Sequence, residues 1–153
     1  MNYYFTEEHF TDELIEEIKP LTELSWREAN CAPETNYAPD WDKYAMLNDK
    51  DYLRLFTVRT IVDSELVGYA TFLVSETLHS SNVIHALHDS LFIYKPNRKN
   101  GTAKKLIEFV EKEFALNGVN TMVMSVMSHR DYSNTLKELG FTHSESNYIK
   151  RLT

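Results

Sequence analysis

The chain reads as an α+β protein: a central mixed, mostly antiparallel sheet flanked by about four helices. Three observations carry this reading. Residues 10–24 place apolar side chains at helical spacing. Two stretches rich in apolar and β-branched residues follow from Leu53, joined by a turn. The second half then alternates strand, helix, strand, helix and strand, which requires one crossover and a parallel pair within an otherwise antiparallel sheet.

Taken in order, Asn2–Phe5 is a short strand candidate, and Phe10, Leu14, Ile15, Ile18, Leu21 and Leu24 define the first helical run. Pro20 is expected to kink or divide it. Cys31–Pro39 holds two prolines and reads as a loop. Asp40 is an expected N-cap for a short helix carrying Trp41, Tyr44, Ala45 and Leu47. Leu53–Ile61 and Leu66–Val74 form a hairpin across Val62–Glu65. Gly68 within it marks a bulge or a close backbone approach. Glu76–Asn82 is polar loop, and Ile84–Tyr94 is a long strand interrupted by His85, His88, Asp89 and Ser90.

Ala103, Leu106, Ile107, Val110 and Phe114 make the clearest apolar stripe, and Asn117-Gly118 is its stop signal. Thr121–Met127 is a buried strand. Ser128 and Asp131 have capping-box spacing for a helix over Arg130–Leu139, ended by Gly140, and Phe141–Leu152 is expected to be a final strand region.

The 153 residues suit one domain, 1–153, with a sizeable core. No window is apolar enough to span a bilayer, and MNYYFTEEHF lacks the basic and apolar regions of a signal peptide. With Cys31 the lone cysteine, a reducing, cytoplasmic setting is expected. The net charge of −7 is uneven: residues 1–66 carry −9 and residues 67–153 carry +2. An acidic half disfavours extended nucleic-acid contact and an anionic membrane, and favours a cationic partner. His9, His79 and His143 show no metal-ligand spacing, so no metal is expected.

The basic cluster lies at one place. Arg98-Lys99-Asn100-Gly101-Thr102-Ala103 joins the long strand to the clearest helix, with Lys95, Lys104 and Lys105 alongside. A helix start offers unpaired backbone N–H groups and a positive dipole end, and Gly101 has no Cβ to keep an anion away. The cluster is too short for a duplex and about right for one polyphosphate.

These residues resemble the GNAT acyltransferase superfamily, whose acyl-CoA motif is Q/R-x-x-G-x-G/A. Arg98, Gly101 and Ala103 occupy its three defined positions, Leu66-Val67-Gly68-Tyr69 resembles the family hairpin, and Leu139-Gly140-Phe141 resembles the close of its last helix. The likeness extends to a branch of small GNAT proteins common in phages and prophages. Trp26 and Glu28, then Pro39, Asp40, Trp41 and Tyr44, then Asp89, and finally Glu145, Tyr148 and Lys150 carry that finer resemblance. A phage origin would place the protein in the host cytoplasm.

The resemblance implies a GNAT-like fold with splayed fourth and fifth strands and acetyl-CoA as co-substrate. Leu91, Phe92 and Ile93 would line the pantetheine arm, with a backbone N–H near Ile93 polarising the thioester carbonyl. Arg98, Lys99, Asn100, Gly101, Thr102, Ala103 and Lys104 would cradle the pyrophosphate, and His129 stands where an asparagine often contacts the arm. Asp89 is the first candidate for general base, with His85 and His88 as alternatives because imidazole titrates near neutrality. Alternation places His85 and Asp89 on one strand face and His88 on the other. Leu136 occupies the position of the family's tyrosine acid, which leaves three routes open: Tyr132, His129, or unaided departure of a thiolate. Trp26, Glu28, Trp41 and Tyr44 would wall the acceptor site, where aromatic rings and carboxylates suit a cationic amine.

The expected activity is N-acyl transfer, acetyl in the first instance, to a primary amine of a small molecule or protein. Two alternatives are a catalytically inactive GNAT-fold module that binds and inhibits a host protein, and acylation of a nucleotide or nucleobase amine. By analogy with the family, a homodimer paired through the last strand region is also an expectation.

Overall fold

A computed structural model describes residues 2–29 and 36–153. The described elements run β1 (Tyr3–Glu8), α1 (Asp12–Ala29), α2 (Trp41–Asp49), β2 (Leu53–Thr60), β3 (Leu66–Glu76), β4 (Ile84–Ile93), two single 3-10 turns (Lys95–Asn97 and Lys99–Gly101), α3 (Thr102–Leu116), β5 (Thr121–Val123) and α4 (Ser133–Glu138). Cys31 and part of the expected Cys31–Pro39 loop lie outside the described residues.

The five strands form one sheet in sequence order. β1 to β4 pair antiparallel, and β5 joins β4 in parallel after the α3 crossover. Both sheet faces are covered. On one, Leu14, Ile18 and Leu21 of α1 pack with Leu53, Leu55, Tyr69 and Phe92. On the other, Leu106, Val110 and Phe114 of α3 pack with Phe56, Val58, Ala70 and Phe72. The alternation of β2 explains this double burial: Leu53 and Leu55 serve the first face, Phe56 and Val58 the second.

Asp40 caps α2, its carboxylate accepting the Lys43 N–H at 3.0 Å. Pro20 does not divide α1, which is continuous from Asp12 to Ala29. Pro20 and Glu16, whose carbonyl loses its helical partner, are both exposed, so water can satisfy that carbonyl. Gly68 is a close approach beside an irregularity in the β2–β3 register. A Cβ there would lie 2.6 Å from Ile93 Cδ1 and 3.0 Å from the Phe92 carbonyl oxygen.

The C-terminal quarter departs from expectation. β5 is three residues long rather than seven. α4 spans six residues and has no side-chain cap at Tyr132, while Asp131 Oδ1 accepts the Ser133 N–H at 2.8 Å. The Ser128–Asp131 capping box is therefore not formed. Residues 141–153 hold no strand. Thr142 to Asn147 are all polar, and Tyr148, Ile149 and Leu152 are exposed, so this segment lacks a buried face to fix its pairing.

Candidate active site

The sheet opens between β4 and β5. Their pairing covers only His85–Leu87 against Thr121–Val123, and beyond it the strands separate. At the same level the β3–β4 register shifts: Thr71 faces Ser90 and Phe72 faces His88, leaving Asp89 as an extra residue. A bulge of this kind bends its strand and redirects side chains. Asp89 and Ser90 consequently both reach the α1–α2 face. Thr71 Oγ1 donates to Asp89 Oδ2 at 2.8 Å, and Ser90 Oγ lies 3.4 Å from the Tyr69 hydroxyl.

A cavity of about 760 Å³ passes through this opening. From the α1–α2 side it is lined by Phe10, Trp26, Tyr37, Trp41, Tyr44, Tyr69 and Asp89; from the α3 side by His88, Leu91, Ile93, Ala103 and Ile107. The Tyr94 N–H donates to the Val67 carbonyl at 2.7 Å. Alternation of antiparallel bonds then turns the backbone groups of Leu91 and Ile93 away from β3, toward the gap that β5 leaves. The Ile93 carbonyl takes its bond from Arg98 Nε at 2.7 Å on that side.

At the turn, Asn100 and Gly101 both adopt positive φ, +61° and +69°. No side chain caps α3. The buried Thr102 hydroxyl lies 2.8 Å from both the Asn97 and Lys99 carbonyls and so braces the turn from inside. Gly101, Ala103 and Lys104 border the cavity, whereas Lys99 and Asn100 are exposed outside it.

Arg98 is already engaged. Its guanidinium holds Glu28 through two bonds of 2.9 and 2.7 Å and lies 5.2 Å from the Phe92 ring centre. Arg130 reaches the same Glu28 carboxylate at 3.1 Å. Glu28, expected to meet the acceptor, instead ties the end of α1 to the turn and to the segment before α4. Lys104 pairs with Glu138 at 3.1 Å.

His88 occupies the start of the gap. Its Nδ1 accepts the Ser125 N–H at 3.3 Å, and its ring lies 5.9 Å from Phe72. Its Nε2 is buried without a hydrogen-bond partner. Burial pushes the imidazole below its ordinary value, against the opposing pull of Asp89. A neutral ring accepting at Nδ1 carries its proton on Nε2, so this arrangement leaves no free lone pair. His85 shares the face of Asp89 but lies about 13 Å along the strand, at 3.3 Å per residue, and is outside the lining. His129 is exposed and also outside it.

Burial raises Tyr44 to about 12, with smaller contributions from Asp89, Tyr69 and Tyr37. Burial likewise raises Tyr132 to about 12, opposed by Arg130, and its hydroxyl donates to the Ser125 carbonyl at 2.8 Å. Trp41 serves as both wall and packing: its ring centre lies 5.5 Å from Tyr44 and 6.5 Å from Phe10. Leu136 is buried in the core. Tyr37, Tyr69, Thr71, Ser125 and Arg130 join the site without a sequence signal. They come from strands and loops whose approach depends on the bulge and the gap.

No family model matches the chain, and no curated protein does. Solved structures do. An aminoglycoside acetyltransferase from an uncultured soil metagenomic sample, in complex with sisomicin, superposes with a TM-score of 0.76 at 15% identity, covering 99% of this chain and 97% of that one. A ribosomal-protein-alanine N-acetyltransferase from Brucella melitensis biovar Abortus 2308 gives 0.72 at 17%, covering 99% and 100%. The fold is that of the GNAT acetyltransferases. A transcriptional regulator from Bacillus halodurans C-125 gives 0.77 at 14%, covering 99% and 100%, so the GNAT-like architecture alone does not select an activity. Among the described residues no helix is long and apolar enough to cross a membrane, and no group of three or more His, Cys, Asp or Glu side chains is placed to hold a metal ion.

Proposed function

We propose that the chain is an acetyl-CoA-dependent N-acetyltransferase acting on a primary amine. The observation that carries this reading is the cavity that crosses the sheet, with outward-turned backbone groups on one side and Asp89 on the other. An acyl-CoA supplies an activated thioester. Leu91 and Ile93 would hold its arm by strand-like backbone bonds, and the uncapped start of α3 with Gly101 would take its pyrophosphate. The Ile93 N–H, aimed at a developing oxyanion, would contribute roughly 2.7–4 kcal/mol.

Asp89 is the base. At pH 7 only about one in 2,500 lysine-like amines is neutral, so a group must accept the proton as the C–N bond forms. His88 has no free lone pair, and His85 is outside the cavity. Tyr132 has the weaker claim. A phenol held near 12 keeps its proton against a thiolate whose conjugate acid is near 8.5. It can steady the leaving sulfur by a hydrogen bond but does not surrender its proton. The finer likeness to phage-borne GNAT proteins belongs to this reading as well and rests on the Trp26–Glu28, Pro39–Tyr44 and Asp89 motifs.

Calorimetric titration with acetyl-CoA tests the proposal. Binding at tens of micromolar or tighter is expected, together with thiol release when a competent amine is added. Absence of binding overturns it, as does binding that survives the double variant Arg98→Glu, Gly101→Glu.

A further inference from the structure

We infer that the acceptor is a small amine with one ammonium group and an aromatic or similarly flat apolar body, not a polycation or a nucleotide. This rests on the acetyltransferase reading and names the substrate class of the same site. The geometry points there through composition. Trp26, Tyr37, Trp41, Tyr44 and Tyr69 line the α1–α2 side of the cavity, with Trp26–Tyr37 and Trp41–Tyr44 ring centres 6.0 and 5.5 Å apart. Asp89 is the only carboxylate among the described lining residues.

Charge separates the candidates. A single ammonium can be met by Asp89 and by ring faces, which attract cations and stack on a flat body. A polycation such as sisomicin or spermidine brings further ammonium groups that need desolvation and find no second carboxylate among the described lining residues. A nucleotide acceptor needs a phosphate site other than the uncapped start of α3, which the donor's pyrophosphate would occupy. The lining cations Arg98, Lys104 and Arg130 are already committed to Glu28, Glu138 and Glu28 respectively. Apart from Asp89 and Asn36, the described walls of the α1–α2 side are mostly apolar, aromatic or hydroxylic, and this composition favours an arylalkylamine.

The protein carries its own probe. Its two tryptophans, Trp26 and Trp41, both line the cavity, so intrinsic fluorescence reports amine binding without any reaction. The protein, saturated with CoA, is titrated with 2-phenylethylamine, methylamine, spermidine and sisomicin, and CoA binding is measured on the same samples. The expected result is quenching by 2-phenylethylamine with a Kd at least about tenfold below those of the other three, and a weakening of about tenfold in Asp89→Asn with CoA affinity kept. Equal or tighter binding of spermidine or sisomicin overturns the inference. So does absence of a 2-phenylethylamine response in protein that binds CoA, which leaves the acetyltransferase reading standing. Failure to bind CoA at all overturns both.

Discussion

The Thr71 hydroxyl reaches across from β3 to Asp89 Oδ2 at 2.8 Å, so the neighbouring strand orients the carboxylate proposed as base. Thr71 is 2% exposed, and Thr71→Val preserves its volume while deleting the bond. Asp89→Asn should lower kcat by about 10²- to 10⁴-fold, the usual worth of a positioned base, with little change in CoA affinity. Thr71→Val should cost about tenfold in kcat, because the carboxylate remains but is less well aimed. Steady-state thiol release against amine concentration separates the two effects. Equal losses in both variants would mean that Thr71 holds the bulge itself.

Glu28 neutralises two guanidiniums beside the proposed donor site. Glu28→Gln leaves Arg98 and Arg130 without that carboxylate. The polyanionic CoA should then bind severalfold tighter at low ionic strength, and the gain should vanish near 1 M salt, where exposed charges are screened within about 3 Å. Calorimetry at two salt concentrations checks this.

Folding holds His88 below its ordinary value near 6.5, because burial disfavours its charged form. Between the folded value and 6.5 the unfolded chain binds the extra proton, so His88 favours the folded state fully above about pH 6.5 and progressively less as pH falls through it. The urea midpoint of the native protein should drop from pH 7.5 to pH 5.5 by more than that of His88→Leu. Parallel slopes would remove the assignment.

Tyr132→Phe should reduce kcat by less than about tenfold, since a phenol near 12 contributes a hydrogen bond rather than a transferred proton. A loss comparable to that of Asp89→Asn would show that Tyr132 protonates the leaving group after all. Thiol release measured from pH 6 to 9 provides the comparison.

Gly68→Ala tests the close approach. The new Cβ would meet Ile93 Cδ1 at 2.6 Å and the Phe92 carbonyl at 3.0 Å, and only the first can swing aside. The cost should be about 1–3 kcal/mol of stability, as for other overpacked interiors, read from urea denaturation.

Much of the fold was legible because local chemistry dictated it. The Asp40 cap, the α3 stripe from Ala103 to Phe114 and the alternation of Leu53 to Thr60 each settle an element within a few residues. The segment after Leu139 was not legible, because Thr142–Asn147 has no apolar period to enforce a strand. Within the site, Asp89, Trp26, Trp41, Tyr44 and Tyr132 all line one cavity. Glu28 and His85 do not line it. The motif gave no sign that Glu28 would be held by Arg98 and Arg130, and alternation assigns a face without saying how far along the strand the cavity lies. Tyr37 escaped notice because an isolated tyrosine carries no pattern, and Tyr69 was legible only as part of the hairpin, not as a wall of the cavity. Only tertiary approach makes them a wall.

The extra residue in β4 has a consequence for insertion and deletion. Substituting Asp89 removes a carboxylate but leaves the strand one residue longer than its partner, still bent away from β5. Deleting it shortens the strand to match β3, and the freed hydrogen-bonding edge beyond Leu87 can zip onto the chain after Val123. One missing codon should therefore close the passage through the sheet, while a missense change at the same position should leave it open.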